Sequence, residues 1–246
     1  PAWVGTKREK ILQRILNNPD PYKKIKYESD QVARAVWEKI YHKIDFNDTS
    51  FSNFRRILLL AAAANSVEWF IKGHDFQLNR LYEDLLKPEE QLKIDQSEDL
   101  WDDIHKASSL LYILDNAGEA FIDLFVVKYL RNFVSEIYVA AREKPILNDI
   151  TVEEAIKLGF NEVANKVIPV GWFVGVFLDK EEVSPEFLET FESVDMVIAK
   201  GMGAYESLTE YKFEKPVYIL LKAKCIPVAR HLNVPQGSLV IKKFSE

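Results

Sequence analysis

The sequence predicts an α/β protein: a doubly wound, Rossmann-like, mainly parallel sheet with an all-helical N-terminal lobe. Three observations carry this expectation. From about residue 111, short apolar runs alternate with helical patterns, the rhythm of strand–helix–strand units. Before residue 111, apolar residues recur almost wholly at helical spacing. The chain has 246 residues and is 48% hydrophobic, enough to bury a large core as one domain or two unequal lobes. The expected division is 1–110 for the helical lobe and 111–246 for the α/β domain.

The helical half reads as follows. KREKILQRILNN (7–18) has apolar residues at helical spacing. After the turn-like NPDPY comes SDQVARAVWEKIYHKI (29–44), with Ser29 or Asp30 as the expected N-cap. SNFRRILLLAAAANSVEWFIKG (52–73) is apolar and alanine-rich, and Gly73 is its stop signal. LNRLYEDLL (78–86) and LWDDIHKASSLL (100–111) follow, separated by KPEEQLKIDQSED (87–99), a polar acidic stretch expected to be a surface connection. In the second half LYIL (111–114), EIYVAA (136–141), VIPVG (167–171), DMVIAK (195–200), PVYILL (216–221) and SLVIKK (238–243) read as buried strands. Helical patterns lie between them at 120–133, 151–160, 184–194, 204–210 and 225–232.

Composition narrows the function. No apolar run approaches the ~20 residues that span a bilayer, and PAWVGTKREKIL lacks the apolar core of a signal peptide. The single cysteine, Cys225, excludes an internal disulfide framework and a cysteine-cluster metal site. The expected location is therefore cytoplasmic. The net charge is −6 and no basic stripe interleaves with aromatics, so no nucleic-acid partner and no membrane partner is expected. Oligomeric state is not legible.

In a doubly wound sheet, ligands sit outside the carboxyl ends of the strands. Asp115-Asn116 follows the first strand, Arg142, Asn148 and Asp149 follow the second, and Lys200-Gly201 follows DMVIA. Each has a plainer explanation. Asn116 with Glu119 fits a capping box, N-x-x-E. Asp149 is harder to explain away, because Thr151 with Glu154 already caps the next helix and leaves Asn148-Asp149 ahead of the cap. Lys200 before Gly-x-Gly places a point charge beside a backbone that can approach an anion, although a solvated strand-end lysine is the commoner case. Two carboxylates and an amide oxygen suit a hard cation such as Mg²⁺ or Mn²⁺. Such an ion would polarise a phosphate and activate a water, and Lys200 would offset phosphoryl charge. In the helical half, Asn65 and Glu68 share one helix face amid alanines; this is either a helix-packing hydrogen bond or a pocket wall. Other signatures fail. The D-x-D of aspartyl nucleophiles is broken by Ala117, and no phosphate loop, dinucleotide fingerprint or G-x-S-x-G elbow is present. His42, His74, His105 and His231 are scattered.

The pattern resembles the damage-control phosphatase family, long catalogued as a domain of unknown function. The carrying residues are D-N-x-G-E at 115–119 with Asp123, R-x-x-P at 142–145, P-I-L-N-D-I-T at 145–151 and A-K-G-M-G at 199–203. D-P-Y at 20–22, A-N-S-V-E at 64–68 and C-I-P-V-A-R-H-L at 225–232 join them, so the resemblance spans nearly the whole chain in order. It implies a helical lobe on a Rossmann-like sheet and a divalent metal (Mn²⁺, Co²⁺, Ni²⁺ or Mg²⁺) held by Asp115, Asn116 and Asp149. It implies catalytic roles for Asp115, Asp149 and Lys200, with Lys200 and Gly201 at the substrate phosphate and Asn65 and Glu119 lining the pocket. Its substrates would be small phosphate monoesters, sugar phosphates or damaged phosphometabolites. The C-x-x-C of many microbial relatives does not occur, Ala204 stands where they often carry Asn, and Glu68 where Asp is common. Metal-activated water is the expected nucleophile, since D-x-D is missing; attack by Asp115 is the alternative. The rival functions are S-adenosylmethionine-dependent methyl transfer and a non-catalytic metal- and phosphometabolite-binding protein.

Overall fold

The computed structural model describes residues 2–66, 82 and 85–244. Glu68, the stop at Gly73 and most of the helix expected over 78–86 lie outside the described residues. Helices α1 (Ala2–Leu16), α2 (Lys23–Ile40) and α3 (Phe51–Ala64) come first. Strand β1 (Leu92–Asp95) and helix α4 (Ser97–Ile104) follow. Then β2 (Ser109–Ile113), α5 (Glu119–Leu130), β3 (Glu136–Ala141), α6 (Val152–Leu158), α7 (Phe160–Val163) and β4 (Lys166–Pro169) alternate. The chain continues through α8 (Pro185–Ser193), β5 (Met196–Lys200), α9 (Gly201–Leu208), β6 (Val217–Lys222), α10 (Ile226–Leu232) and β7 (Leu239–Lys243).

The seven strands form one sheet in the order β1-β7-β6-β5-β2-β3-β4. Strands β2 to β6 run parallel to one another; β7 runs antiparallel to β6, and β1 is parallel to β7. From β2 the chain first builds outward through β3 and β4, then returns to β5 on the other side of β2. The switch point of the sheet therefore lies between β2 and β5, the place at the carboxyl ends where doubly wound sheets bind their ligands.

The continuous apolar runs have the physical cause expected of them: both faces of the sheet are covered. Alternate side chains divide the core in two. Leu110, Tyr112, Val139, Ile198 and Leu220 pack under α2, α3, α4 and α5. Leu111, Ile113, Val197, Ala199 and Ile219 pack with Ala2 of α1 and with Phe187, Tyr205 and Val228 of α8, α9 and α10. Ala61 to Ala64 are buried at the end of α3, and their small side chains let that helix lie close on β6 and β7. The N-terminal helices thus share core with the sheet.

Two expectations are corrected. Residues 87–99 are more than a surface connection: they hold a 3₁₀ turn, Pro88–Gln91, and β1. LKID carries only two apolar residues and sits at the sheet edge with alternate residues exposed, which is too little pattern to announce a strand. Helix α2 begins at Lys23, six residues before the expected cap, because KKIKYE is itself helix-compatible. Its N-cap, Tyr22, makes no side-chain capping bond. Asp30 instead accepts from the backbone N–H of Gly118 at 2.7 Å, at the start of α5.

Candidate active site

Strand β2 ends at Ile113, and the next residues turn out over the carboxyl edge. Asp115 and Asn116 are joined there to the loop after β3. Ile150 N–H donates to Asp115 O at 3.0 Å, and Ala117 N–H donates to Asn148 O at 2.9 Å. Asn116 and Asp149 form an isolated antiparallel bridge. The D-N and N-D dipeptides, 33 residues apart in sequence, are thereby stitched back to back.

Side chains complete the cluster. Asn65, capping the end of α3, donates its amide to Asp115 Oδ2 at 3.0 Å and to Glu119 Oε1 at 2.7 Å. The Asn116 amide donates to the same two carboxylates at 2.7 and 2.8 Å, while its Oδ1 accepts from Asn148 Nδ2 at 2.8 Å. The capping-box explanation of D-N-x-G-E holds for one half only. Glu119 Oε1 accepts from Asn116 N–H at 3.1 Å, but the N-cap is Gly118 and the Asn116 side chain is spent on the site. The box at Thr151–Glu154 is fully formed, and Asn148-Asp149 stands outside it. Asp149 Oδ2 accepts from Arg142 Nε at 2.7 Å, and the buried Arg142 guanidinium also donates to Gly175 O.

Gly201 shows why a glycine opens α9. Its φ is +81°, and a Cβ built there would lie 1.7 Å from Asp115 Oδ2. The carboxylate occupies the space a side chain would take. Gly201→Ala is expected to lower activity by at least about 10²-fold, the scale of a reacting group displaced by 1 Å. It adds about 1–2 kcal/mol of left-handed backbone strain. Steady-state phosphate release together with thermal unfolding checks both.

Lys200, the last residue of β5, is fully buried. Its ammonium donates to Glu119 Oε2 at 2.8 Å and to both oxygens of Asp123 at 2.9 Å. Tyr112 OH donates to Asp123 Oδ1 at 2.7 Å. The lysine is thus packed beneath the site, its charge engaged by two carboxylates. Burial pushes the Asp123 carboxyl up to about 6, although Lys200 opposes this. Burial also acts against the charged form of Glu119, but Lys200 and Lys224 outweigh it and hold that carboxyl below its usual range.

Asp115 behaves oppositely. Burial, then the charges of Asp149 and Glu119, hold its carboxyl well above the usual range, against the opposing pull of Lys224 and Arg142. Two anions are packed where a small cation would relieve both. Asp115, Asp149 and the Asn116 carbonyl are all hard oxygen donors, so the residues fit Mg²⁺-like or Mn²⁺-like ions. Among the described residues, no group of three His, Cys, Asp or Glu side chains is arranged to hold a metal; this set has two acids, and its third donor is an amide. All the site residues expected from sequence within the described segments therefore meet: Asn65, Asp115, Asn116, Glu119, Asp149, Lys200 and Gly201. Sequence reasoning left Arg142 and Asn148 without roles and missed Lys224, whose Nζ donates to Asn65 O at 2.8 Å. K-A-K at the end of β6 is the signal that could have pointed to it.

Fold and site together define a Rossmann-like α/β protein with a buried acidic centre at the switch point of its sheet. Its relatives give that class a narrower identity. The chain belongs to the damage-control phosphatase family: the family model described as "Damage-control phosphatase ARMT1-like domain" matches residues 1–240. It is 36% identical over 242 residues to a damage-control phosphatase of Pyrococcus horikoshii, covering 98% of this chain and 80% of that protein. It is 29% identical to a damage-control phosphatase of Archaeoglobus fulgidus, covering 98% and 82%. An uncharacterized protein of Methanocaldococcus jannaschii is 38% identical over 99% of this chain and 80% of its own length. The crystal structure of a DUF89 family protein from Pyrococcus horikoshii superposes with a TM-score of 0.86 at 36% identity, covering 99% of this chain and 82% of that one. Family membership supports phosphatase activity for the chain. No helix among the described residues is long and apolar enough to cross a membrane.

Proposed function

We propose that the chain is a divalent-metal-dependent phosphatase of small phosphate monoesters, sugar phosphates or damaged phosphometabolites. The observation that carries this reading is the pairing of Asp115-Asn116 with Asn148-Asp149 over the switch point. Asp115, Asn116 and Asp149 would hold Mn²⁺, Co²⁺, Ni²⁺ or Mg²⁺. Such an ion, when bound, supplies Lewis-acid polarisation of the phosphoryl group and lowers the pKa of water.

The chain's own residues do the positioning. The Asn65 and Asn116 amides fix Asp115 through one oxygen. Arg142 fixes Asp149. Glu119 gathers both amides, and Lys200 keeps Glu119 ionised so that it continues to accept from them. In this arrangement Lys200 is a positioning residue. The first turn of α9, opening at Gly201, has N–H groups outside the helical ladder, and these are the proposed donors to substrate phosphate.

The test is phosphate release from an aryl phosphate by metal-stripped protein, with Mn²⁺, Co²⁺, Ni²⁺ and Mg²⁺ returned in turn. Release should require a metal. Full activity after exhaustive chelation would refute the metal reading.

A further inference from the structure

The D-P-Y segment lies far from the site in sequence and touches none of its carboxylates in the contacts described above, yet the residues around it lead back to both site loops. Lys26, six residues after Asp20, is 3% exposed. Its Nζ lies 3.0 Å from Asp20 Oδ2 and 2.8 Å from Glu154 Oε1. The other oxygen of Glu154 accepts from Thr151 N–H and Oγ1, both at 2.9 Å. Thr151 is bridged to Arg142 and stands two residues from Asp149. One turn along the same face of α2, Asp30 accepts from Gly118 N–H, two residues from Asn116. A Cβ at Gly118 would fall 2.7 Å from Ser29 Cβ, so α2 also touches that loop directly. Helix α1 adds a third tie: Gln13 Nε2 donates to Pro145 O at 2.9 Å, and Trp172 Nε1 donates to the same oxygen at 3.1 Å.

Two like-charged side chains are held close only if the loops that bear them cannot spread. Backbone hydrogen bonds join the two loops at one point. Helix α2 grips each from outside, one through the ion pair of the buried Lys26 with a partly exposed Glu154 and one through a charge-assisted hydrogen bond. The Lys26 ammonium itself is buried, and its two carboxylates, 2.8 and 3.0 Å away, are partly exposed, so the charge that leaves water is the lysine's and it is compensated from two sides.

We infer that Asp20 to Asp30 is a brace that sets the spacing of Asp115-Asn116 against Asn148-Asp149, with Lys26 and Asp30 as positioning residues. The inference rests on the metal reading above. In the helical half, then, the role of this segment extends beyond covering the sheet: its second helix tunes the cation site through residues that never touch the ion.

The test compares Lys26→Met, Lys26→Arg and Glu154→Gln with the parent chain and with Asp149→Ala. Mn²⁺ affinity is read by titration calorimetry, kcat and KM on an aryl phosphate, and folding by near-ultraviolet circular dichroism. Glu154→Gln keeps an oxygen for Thr151 but loses its charge toward Lys26, so it serves if Lys26→Met does not fold. Lys157→Met, which removes an exposed pair with Glu153 on the same helix, is the control and should bind Mn²⁺ as the parent does. The expected result is Mn²⁺ binding weakened about tenfold or more in folded Lys26→Met or Glu154→Gln, the scale of outer-shell substitutions. Lys26→Arg should restore it to within about threefold on that same scale, and kcat should fall more than KM rises. Parent-like Mn²⁺ affinity and kcat in the folded variants, with binding lost in Asp149→Ala, would overturn the brace alone. Undiminished binding in Asp149→Ala would overturn the metal reading and the brace with it.

Discussion

Asp115→Asn is expected to abolish phosphate release, by on the order of 10³-fold or more, and to leave the protein folded. The size follows from losing one of two charged donors to an ion that supplies several kcal/mol of transition-state stabilisation. Retention of the fold follows from the local bonding. Asp115 Oδ2 accepts from two amides, and an asparagine oxygen can accept from both. The substitution also removes a charge disfavoured first by burial and then by Asp149 and Glu119. The metal-free variant should therefore unfold at or above the parent's temperature. Two measurements decide it: kcat/KM with saturating Mn²⁺, and calorimetric melting in a chelator. A variant within tenfold of parent activity would remove Asp115 from the site.

Lys200→Met is expected to cost about 3–5 kcal/mol of stability, the scale set by breaking a buried ion pair and stranding its partner. Here two partners are stranded, Glu119 and Asp123, both fully or nearly fully buried. The lost stability should appear as a lower denaturation midpoint in urea at unchanged slope. Adding Asp123→Asn should recover part of it, because one uncompensated carboxylate disappears and Tyr112 keeps an oxygen to donate to. A lysine whose work is to touch phosphate would give a different signature: a large rise in KM and no loss of stability. The single and double variants separate the two.

Much of the fold was legible because its signals are strong and local. β2, β5 and β6 are apolar runs buried on both faces, as is the second half of β3, and a polar residue stands at or just after the end of each. The parts that escaped are those where a residue's partner is remote. LKID is a strand only because β7 lies beside it. Asp30 has the chemistry of a cap but caps nothing in its own helix; it serves α5, 88 positions away. The site followed the same division. Spacing could place Asp115, Asp149 and Lys200 at one sheet edge. It could not tell that Lys200 turns inward, because that direction is set by Glu119 and Asp123, one turn apart on α5. Likewise Thr151-x-x-Glu154 announced its own cap, and by doing so freed Asn148-Asp149 for another use, whereas Arg142 gave no local sign of pairing with Asp149.

The central claim is that Asp115, Asn116 and Asp149 hold one divalent cation at the switch point. The most direct measurement is an anomalous difference map from crystals grown with Mn²⁺, recorded above the manganese edge. The account predicts one strong peak among Asp115, Asn116 and Asp149, with Lys200 still bound to Glu119 and Asp123 below it. A peak elsewhere, or none at a Mn²⁺ concentration that supports turnover, would contradict it.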